Sequence, residues 1–367
     1  MGNDPQTGSS LQHGPLDFLH RQTTAEFQRY ADIEIVTTFG NMPAEYSAIR
    51  KGAGRMNRPQ RAILELTGPD RLDFLNRLLT NQTYDKAVKI GLAAGKGVYA
   101  FLLNSKGRIA SDVNVLELGD RTWLELDRRL LESTRQTLDK YLIGDNATLS
   151  SRAGELHEIG IYGPKAPAAL NLPEMGQLDS TRLTIAGAEA VVFRDDICGS
   201  PGFHLIVPTS SAAAVWNSLE LRPVGWAAFN TARIEAGRPL MGIDFDDTIL
   251  PAEIGPVQLA RGVSFTKGCY LGQEIVARMH ARGQIAKQLV GIRMEGDALP
   301  VAGSQIYDAA ANAIGGITSS TISPVLSNAA ICLGYVKKAF IAAGTELSIP
   351  AEGAMRKGRV QELGFLG

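Results

Sequence analysis

The chain has 367 residues, 44% of them hydrophobic and 20% charged, enough for about two to three domains with sizeable cores. A net charge of −1 and a pI near 6.5 argue against a broad phosphate-binding face, so direct nucleic-acid binding is not expected. Cys198, Cys269 and Cys332 are odd in number and widely spaced. That pattern excludes a disulfide scaffold and a C-x-x-C zinc site, and it suits a reducing compartment. No signal-peptide core and no membrane-length apolar run of about 20 residues is visible, so a cytoplasmic protein is expected.

Residues 1–15 read as a disordered tail, residues 16–285 as an α+β region, and residues 286–367 as a separate barrel. Arg61–Thr67 reads as a strand. A helix is predicted to start at Thr67-Gly-Pro-Asp70, with Pro69 in its first turn and Leu72, Leu75 and Leu79 on its buried face. Val98–Leu103 reads as the next strand, and Asn104-Ser-Lys-Gly107 as a turn. In the strand that follows, alternation places Ile109, Val113 and Val115 on one side and Asp112 and Asn114 on the other. A helix is predicted over Asp127–Leu142, with strand–helix alternation continuing to about residue 240. Beyond Gly283, the segments 287–294, 304–307, 317–322, 331–336 and 346–349 are short and separated by Gly, Pro or Asn. Such spacing predicts a small antiparallel barrel or sandwich.

Gly95-Lys-Gly-Val-Tyr-Ala100 fits G-x-G-x-x-A, but its glycines lead into a strand instead of opening a helix, so it is not a nucleotide site. Asp112 is either a solvated strand carboxylate or a pocket carboxylate that orients or deprotonates an amine. Arg233, in Arg-Ile-Glu-Ala-Gly237, either grips a ligand carboxylate or pairs with a neighbouring acid. His157, His204 and His280 lack ligand spacing and imply no metal. Cys269 follows Lys267 and precedes a helix predicted from Gln273 to Arg282. It is either a small buried hydrophobe or a thiol activated by nearby positive charge and a helix N-terminus.

The run Lys267-Gly-Cys-Tyr-Leu-Gly-Gln-Glu274, continued through Ala277-Arg278, resembles the signature of the YgfZ-type folate-binding proteins of the glycine-cleavage T-protein (aminomethyltransferase) superfamily. Glu45-Tyr46, Ile49-Arg50 and Ala53-Gly54 are similar to the superfamily's early segment. Gly68-Pro-Asp70 with Phe74-Leu75, and Arg233–Gly237 with Gly242 to Pro251, are similar to later ones. The resemblance implies a three-lobed α+β fold around a central channel, closed by a C-terminal antiparallel barrel, with tetrahydrofolate or another reduced folate as cofactor. It places Asp112 and Cys269 as the reactive groups, and Tyr99, Asn114, Arg233, Lys267, Tyr270, Gln273 and Glu274 around the folate with Asp112. Cys269 would face the folate channel. Transferases carry acidic residues where Ser200 and His204 stand here, a departure that favours the YgfZ-type branch. That branch implies an accessory role for iron–sulfur enzymes, their maturation or repair and tRNA modification, with iron–sulfur enzymes as partners. The alternative is a folate-dependent aminomethyltransferase or amine demethylase.

Overall fold

The computed structural model describes residues 11–283 and 285–366. Residues 1–10 of the expected tail lie outside the described residues. Residues 11–15 are built into the fold: the Gln12 amide donates to the Asp32 carbonyl at 2.8 Å, and the Gly14 amide to the Asp17 carboxylate at 2.8 Å. None of the described helices is long and apolar enough to cross a membrane.

Two sheets and a barrel make the three lobes. The first sheet runs, from edge to edge, Thr148–Ser151, Arg61–Thr67, Arg121–Asp127, Ile109–Glu117 and Gly97–Leu103. The second runs Ser180–Ile185, Ala188–Arg194, Gly202–Pro208, Leu156–Tyr162, Gly54–Asn57 and Arg222–Pro223. The barrel closes in the order Lys287–Met294, Ala329–Lys337, Ala313–Ser323, Gln305–Tyr307, Glu346–Ala351 and Ala354–Gln361. Its last strand was not foreseen, because Met355, Arg356 and Lys357 are exposed and give no apolar alternation.

Each sheet buries one face under helices. Leu64, Leu102, Val113, Val115 and Leu124 of the first sheet meet Phe74, Leu75 and Leu78 of the helix Arg71–Leu78. Ile161, Val192 and Leu205 of the second meet Val215 and Trp216 of the helix Ala212–Ser218. The opposite faces share another cluster, in which Phe101, Phe193 and Ile331 join the two sheets and the barrel. Fully burying each such side chain contributes about 1.5–3 kcal/mol.

Local differences from the predicted elements have identifiable causes. The first helix starts at Arg71, not Thr67, because the Asp70 carboxylate turns outward to accept from the Asn146 amide at 2.8 Å. The segment after Asp127 opens as a 3₁₀ turn, Arg128–Leu130, with Asp127 accepting from the Arg129 amide at 2.9 Å, before the helix Leu131–Tyr141 begins. Ile109 does not share a face with Val113 and Val115. Pairing steps from Leu102–Ser111 to Leu103–Ile109, so Ala110 is an extra residue, a β-bulge. Ile109 therefore joins Tyr99 and Phe101, whereas Val113 and Val115 face the helices. Asp112 pairs with Phe101, and Asn114 with Tyr99, on the helix-free face.

The barrel docks through a row of hydroxyls. Ser319, Thr321 and Ser323 recur every second residue and so face one way. They meet the helix Trp226–Glu235: Ser319 accepts from Arg233 at 2.7 Å, Thr321 bonds Thr231 at 2.7 Å, and Ser323 donates to Glu235.

Two buried histidines make stability depend on pH. His157 donates a ring N–H to the Asn57 side-chain oxygen at 2.8 Å, and burial pushes its pKa from 6.5 down to about 4. Burial does the same to His20, which sits edge-on to Trp216. Because both groups bind protons more weakly when folded, the stability they carry is full above pH 6.5 and is lost as pH falls towards 4. The loss is roughly 3 kcal/mol per group. His157→Gln, which keeps the donor to Asn57, is expected to flatten the acid limb of a denaturant-midpoint-versus-pH curve between pH 6.5 and 4. An unchanged limb would rule this assignment out.

Candidate functional site

The helix-free face of the first sheet is apolar at one end and charged at the other. In Arg121–Asp127, Glu125 and Asp127 alternate with Leu124 and Leu126, and in Arg61–Thr67 the inward end is Arg61. Cross-strand pairing brings Asn114 beside Glu125, and Asp127 beside Arg61. Asn114 donates to Glu125 at 2.8 Å, and Arg61 forms an ion pair with Glu125. Tyr99 donates its hydroxyl to Asp112 Oδ2 at 2.9 Å, which fixes the carboxylate and leaves Oδ1 without a partner.

The second sheet supplies the facing wall. Glu158 Oε1 lies 3.2 Å from Arg58 and 2.8 Å from His204, whose ring stacks on Phe193 with centroids 4.6 Å apart. From the segment after Arg194, Asp195 pairs with Arg261 at 3.0 Å, and the Arg261 guanidinium lies 4.2 Å over the Tyr99 ring. Between these walls are two small chambers of about 40 and 30 Å³, which share Arg58, Arg61, Asp112 and Leu240. A larger surface cavity of about 440 Å³ lies elsewhere, against the helix Leu131–Tyr141 and residues 241–247, and lacks Asp112.

Burial sets the electrostatics here. It raises the pKa of Asp112 above the ordinary aspartate value, although Arg61 and the Tyr99 hydroxyl oppose the shift. Burial raises Glu125 as well. For Asp195, burial is outweighed by Arg261 and Arg238, and the pKa falls. Asp112, Asn114 and Asp195 each keep one buried side-chain oxygen with no hydrogen-bond partner among the described residues, and all three line the larger chamber. Unpaired buried acceptors are costly, at about 1–3 kcal/mol each. Arg58 Nε and Arg261 Nη2 of the same chamber lack hydrogen-bond acceptors among the described residues, so the cavity is polar on both counts and suits an occupant that both donates and accepts.

Of the residues singled out in the sequence, the structure brings Tyr99, Asp112 and Asn114 together, and the others lie elsewhere. Arg233 is fully buried: it pairs with Asp244 and donates to Ser319, so it pins the barrel and has no free face for folate. Lys267 does not stand as a free charge beside the thiol. Its ammonium donates to the carbonyls of Asn76, Leu79 and Asn81 at 2.7, 2.6 and 2.9 Å, and burial, then Lys86, push its pKa down to about 7. Three carbonyl acceptors close the end of the helix Arg71–Leu78 and account for this lysine structurally. Tyr270 is buried in the apolar cluster, Gln273 is half-buried, and Glu274 is exposed in the first turn of Gln273–Arg282. None of these three lines either chamber. Cys269 is exposed, but it lines neither chamber, so it does not face the cavity as expected.

Arg58, Arg61, Glu125, Glu158, Asp195 and Arg261 were missed in the sequence. The alternation Leu124-Glu125-Leu126-Asp127 carries the same period-two signal that marked Asp112 and Asn114 and could have revealed Glu125. Arg261 and Asp195 arrive from distant segments and leave no local pattern.

The other shared motifs prove to be cement. Tyr46 donates to Glu235 at 2.7 Å, Arg50 pairs with the same carboxylate, and Arg50 also donates to the carbonyls of Cys198 at 2.7 Å and Ala232 at 2.9 Å. Gly272 (φ +79°) lets Gln273–Arg282 begin against the Asn104–Gly107 turn, since a Cβ there would lie 2.9 Å from the Asn104 carbonyl.

Comparison with known proteins agrees with this architecture. The GCVT N-terminal domain matches residues 16–267, and the glycine cleavage T-protein C-terminal barrel domain matches residues 287–366. The chain is 29% identical to a probable aminomethyltransferase of Natronomonas pharaonis, over 97% of this chain and 99% of that one. It is 27% identical to an aminomethyltransferase of Chloroherpeton thalassium, over 97% and 99%. The crystal structure of glycine cleavage system aminomethyltransferase T from Bartonella henselae shares the fold at a TM-score of 0.87, with 24% identity over 97% of this chain and 98% of that one. These matches support the superfamily and not the YgfZ-type assignment expected from the Cys269 signature, since the relatives named here are aminomethyltransferases. The chain belongs to the glycine cleavage T-protein family.

Proposed function

We propose that this protein binds tetrahydrofolate around Asp112 and transfers a one-carbon unit from a small amine, as an aminomethyltransferase does. The observation that carries this reading is the trio of unpartnered buried oxygens on Asp112, Asn114 and Asp195 in one cavity. The edge of a reduced pterin offers N–H donors that such acceptors would satisfy. The acceptor set therefore fits the N–H edge of the pterin, although chambers of about 40 and 30 Å³ are smaller than the whole cofactor. When bound, tetrahydrofolate supplies the nitrogens that accept the one-carbon unit. Asp112 would orient the reacting amine and take its proton on Oδ1, with Tyr99 holding Oδ2 in place. His204 stands where transferases carry an acid, and its ring is committed to Glu158 and Phe193, which leaves Asp195 as the second carboxylate of the cavity. The names of the relatives above support the same chemistry.

A second reading, the YgfZ-type accessory to iron–sulfur enzymes in the cytoplasm, is favoured by Cys269. Its thiol is exposed beside Gly268, whose Cα has open space around it, so it can meet a protein partner. One thiolate does not hold a cluster, which usually needs four protein ligands, so any cluster would be shared.

Calorimetric titration with tetrahydrofolate tests the common ground. Micromolar binding, unchanged in Cys269→Ser, is expected, and the absence of heat would remove both readings. Release of the demethylated amine together with formation of methyl-tetrahydrofolate, an exchange that needs no oxidant, would favour the transferase. Impaired iron–sulfur enzymes in cells carrying only Cys269→Ser would favour the accessory role.

A further inference from the structure

A cavity of about 440 Å³ lies on the helix-covered side of the first sheet, away from the face that carries Asp112. That volume falls among those of small-molecule pockets, about 300–1,000 Å³. Its apolar wall is Leu102, Leu130, Met241 and Ala110, the extra residue of the bulge, whose short side chain leaves the hollow open. Two polar poles stand at different depths. Thr134, in the helix Leu131–Tyr141, lines the cavity at 2% exposure, and its hydroxyl has no hydrogen-bond partner among the described residues. The neighbouring hydroxyls do bond back to the helix: Ser133 donates to the Leu130 carbonyl at 3.1 Å, and Thr137 to the Ser133 carbonyl at 2.8 Å. A buried hydroxyl without a partner is unfavourable, so Thr134 is suited to a polar atom brought by an occupant. At the mouth, Asp246 and Asp247 are exposed and form no ion pair among the described residues. Arg129, also in the lining, is held by Asp127 through two contacts of 2.9 Å and donates to the Met241 carbonyl at 3.0 Å. Arg108 donates to the Thr248 carbonyl. Two carboxylates therefore face one uncompensated guanidinium, and the mouth favours a cation.

We propose that this cavity is a second ligand site, for a small amine that carries a hydroxyl at its far end. The ammonium meets Asp246 and Asp247, the apolar body lies against Leu102, Ala110 and Met241, and the hydroxyl reaches Thr134. The Met241 thioether suits an aromatic body. The site does not depend on the folate reading. Met241 also lines the smaller inner chamber, but Asp112 has no part in this cavity.

The test is a methyl-resolved NMR titration of the full chain with three probes of similar shape: tyramine, 2-phenylethylamine (which lacks the hydroxyl) and 3-(4-hydroxyphenyl)propionate (which has a carboxylate for the ammonium). Tyramine should shift the methyl signals of Leu102, Leu130 and Met241 to saturation, and the propionate should not. Loss of the hydroxyl, in 2-phenylethylamine, should weaken binding by about fivefold, and Thr134→Val should erase that difference. Asp246→Asn combined with Asp247→Asn should weaken both amines by about fivefold. Those two positions are exposed, so this variant keeps the test decisive should Thr134→Val fail to fold. Asp112→Asn should leave both amines unchanged. The inference is overturned if tyramine does not saturate these methyl signals, if the propionate binds as tightly, or if the folded variants at either pole leave tyramine affinity unchanged. It is overturned as well if Asp112→Asn abolishes tyramine binding, which would place the amine in the inner chamber.

Discussion

Replacing Asp112 with asparagine is expected to lower folate-dependent turnover by about 10²–10⁴-fold, the range for removing a general base, while tetrahydrofolate affinity changes by less than about tenfold. The asparagine keeps the shape and the acceptor for Tyr99, but it cannot take a proton. The pH profile should carry a second signature. Burial raises the Asp112 pKa above the ordinary aspartate range. The ionised form needed for catalysis therefore appears at higher pH than for an exposed aspartate, and the rate should climb through that raised value and lose this limb in the variant. Stability should move the other way. A carboxyl with a raised folded pKa destabilises the fold once pH has passed that value, so Asp112→Asn should be no less stable than the parent at neutral pH. A variant with full turnover, or one that unfolds more readily at pH 7, would remove Asp112 from the catalytic role.

Arg233→Met is expected to cost about 3–5 kcal/mol of stability, the usual penalty for leaving one partner of a buried ion pair alone. Its partner Asp244 is buried, and that carboxylate also accepts from Thr318 at 2.6 Å, from Ser319 at 2.7 Å and from the Leu240 amide at 3.0 Å. The change therefore disturbs the seam between the helix Trp226–Glu235 and the barrel. Removing both charges with Arg233→Met and Asp244→Leu should recover part of the loss, because no isolated charge remains. Urea unfolding followed by tryptophan fluorescence checks both variants. A single-variant loss below about 1 kcal/mol would mean that Arg233 is not the pin described here. Leu240, which lines both chambers, lies in the same segment, so any folate binding in Arg233→Met should weaken through positioning, not through a lost contact.

The two kinds of signal in the sequence differ in reach. The barrel was legible because its strand-like segments are separated by Gly, Pro or Asn, even though its first strand pairs with Ala329–Lys337 and Ala354–Gln361 far along the chain. Asp112 was legible as a candidate because period-two alternation isolates it from Val113 and Val115. The roles of Arg233 and Lys267 were not. Each sits in a motif that carried the family resemblance, yet each is satisfied by groups far away in sequence: Ser319 for Arg233, and the carbonyls of residues 76–81 for Lys267. A motif can persist because it holds lobes together, and Tyr46, Arg50 and Glu235 make the same point. The cavity itself was invisible to local reading, since its walls come from strands near residues 61, 112 and 125 and from loops near 195, 240 and 261.

The bulge at Ala110 bears on how such a fold tolerates change. A strand's facing is a matter of odd and even, and one unpaired residue reverses the count for everything on its far side. Removing that single alanine would make the pairs Leu103–Ile109, Leu102–Ser111 and Phe101–Asp112 consecutive and leave Ile109 and Asp112 on their present faces, whereas one residue added between Ser111 and Asp112 would set the facing of the aspartate against that of its neighbours. The turn just upstream is itself packed, with Gly107 against Ile275, so the bulge is the one place near Asp112 where a residue can be lost without changing which way the carboxylate faces.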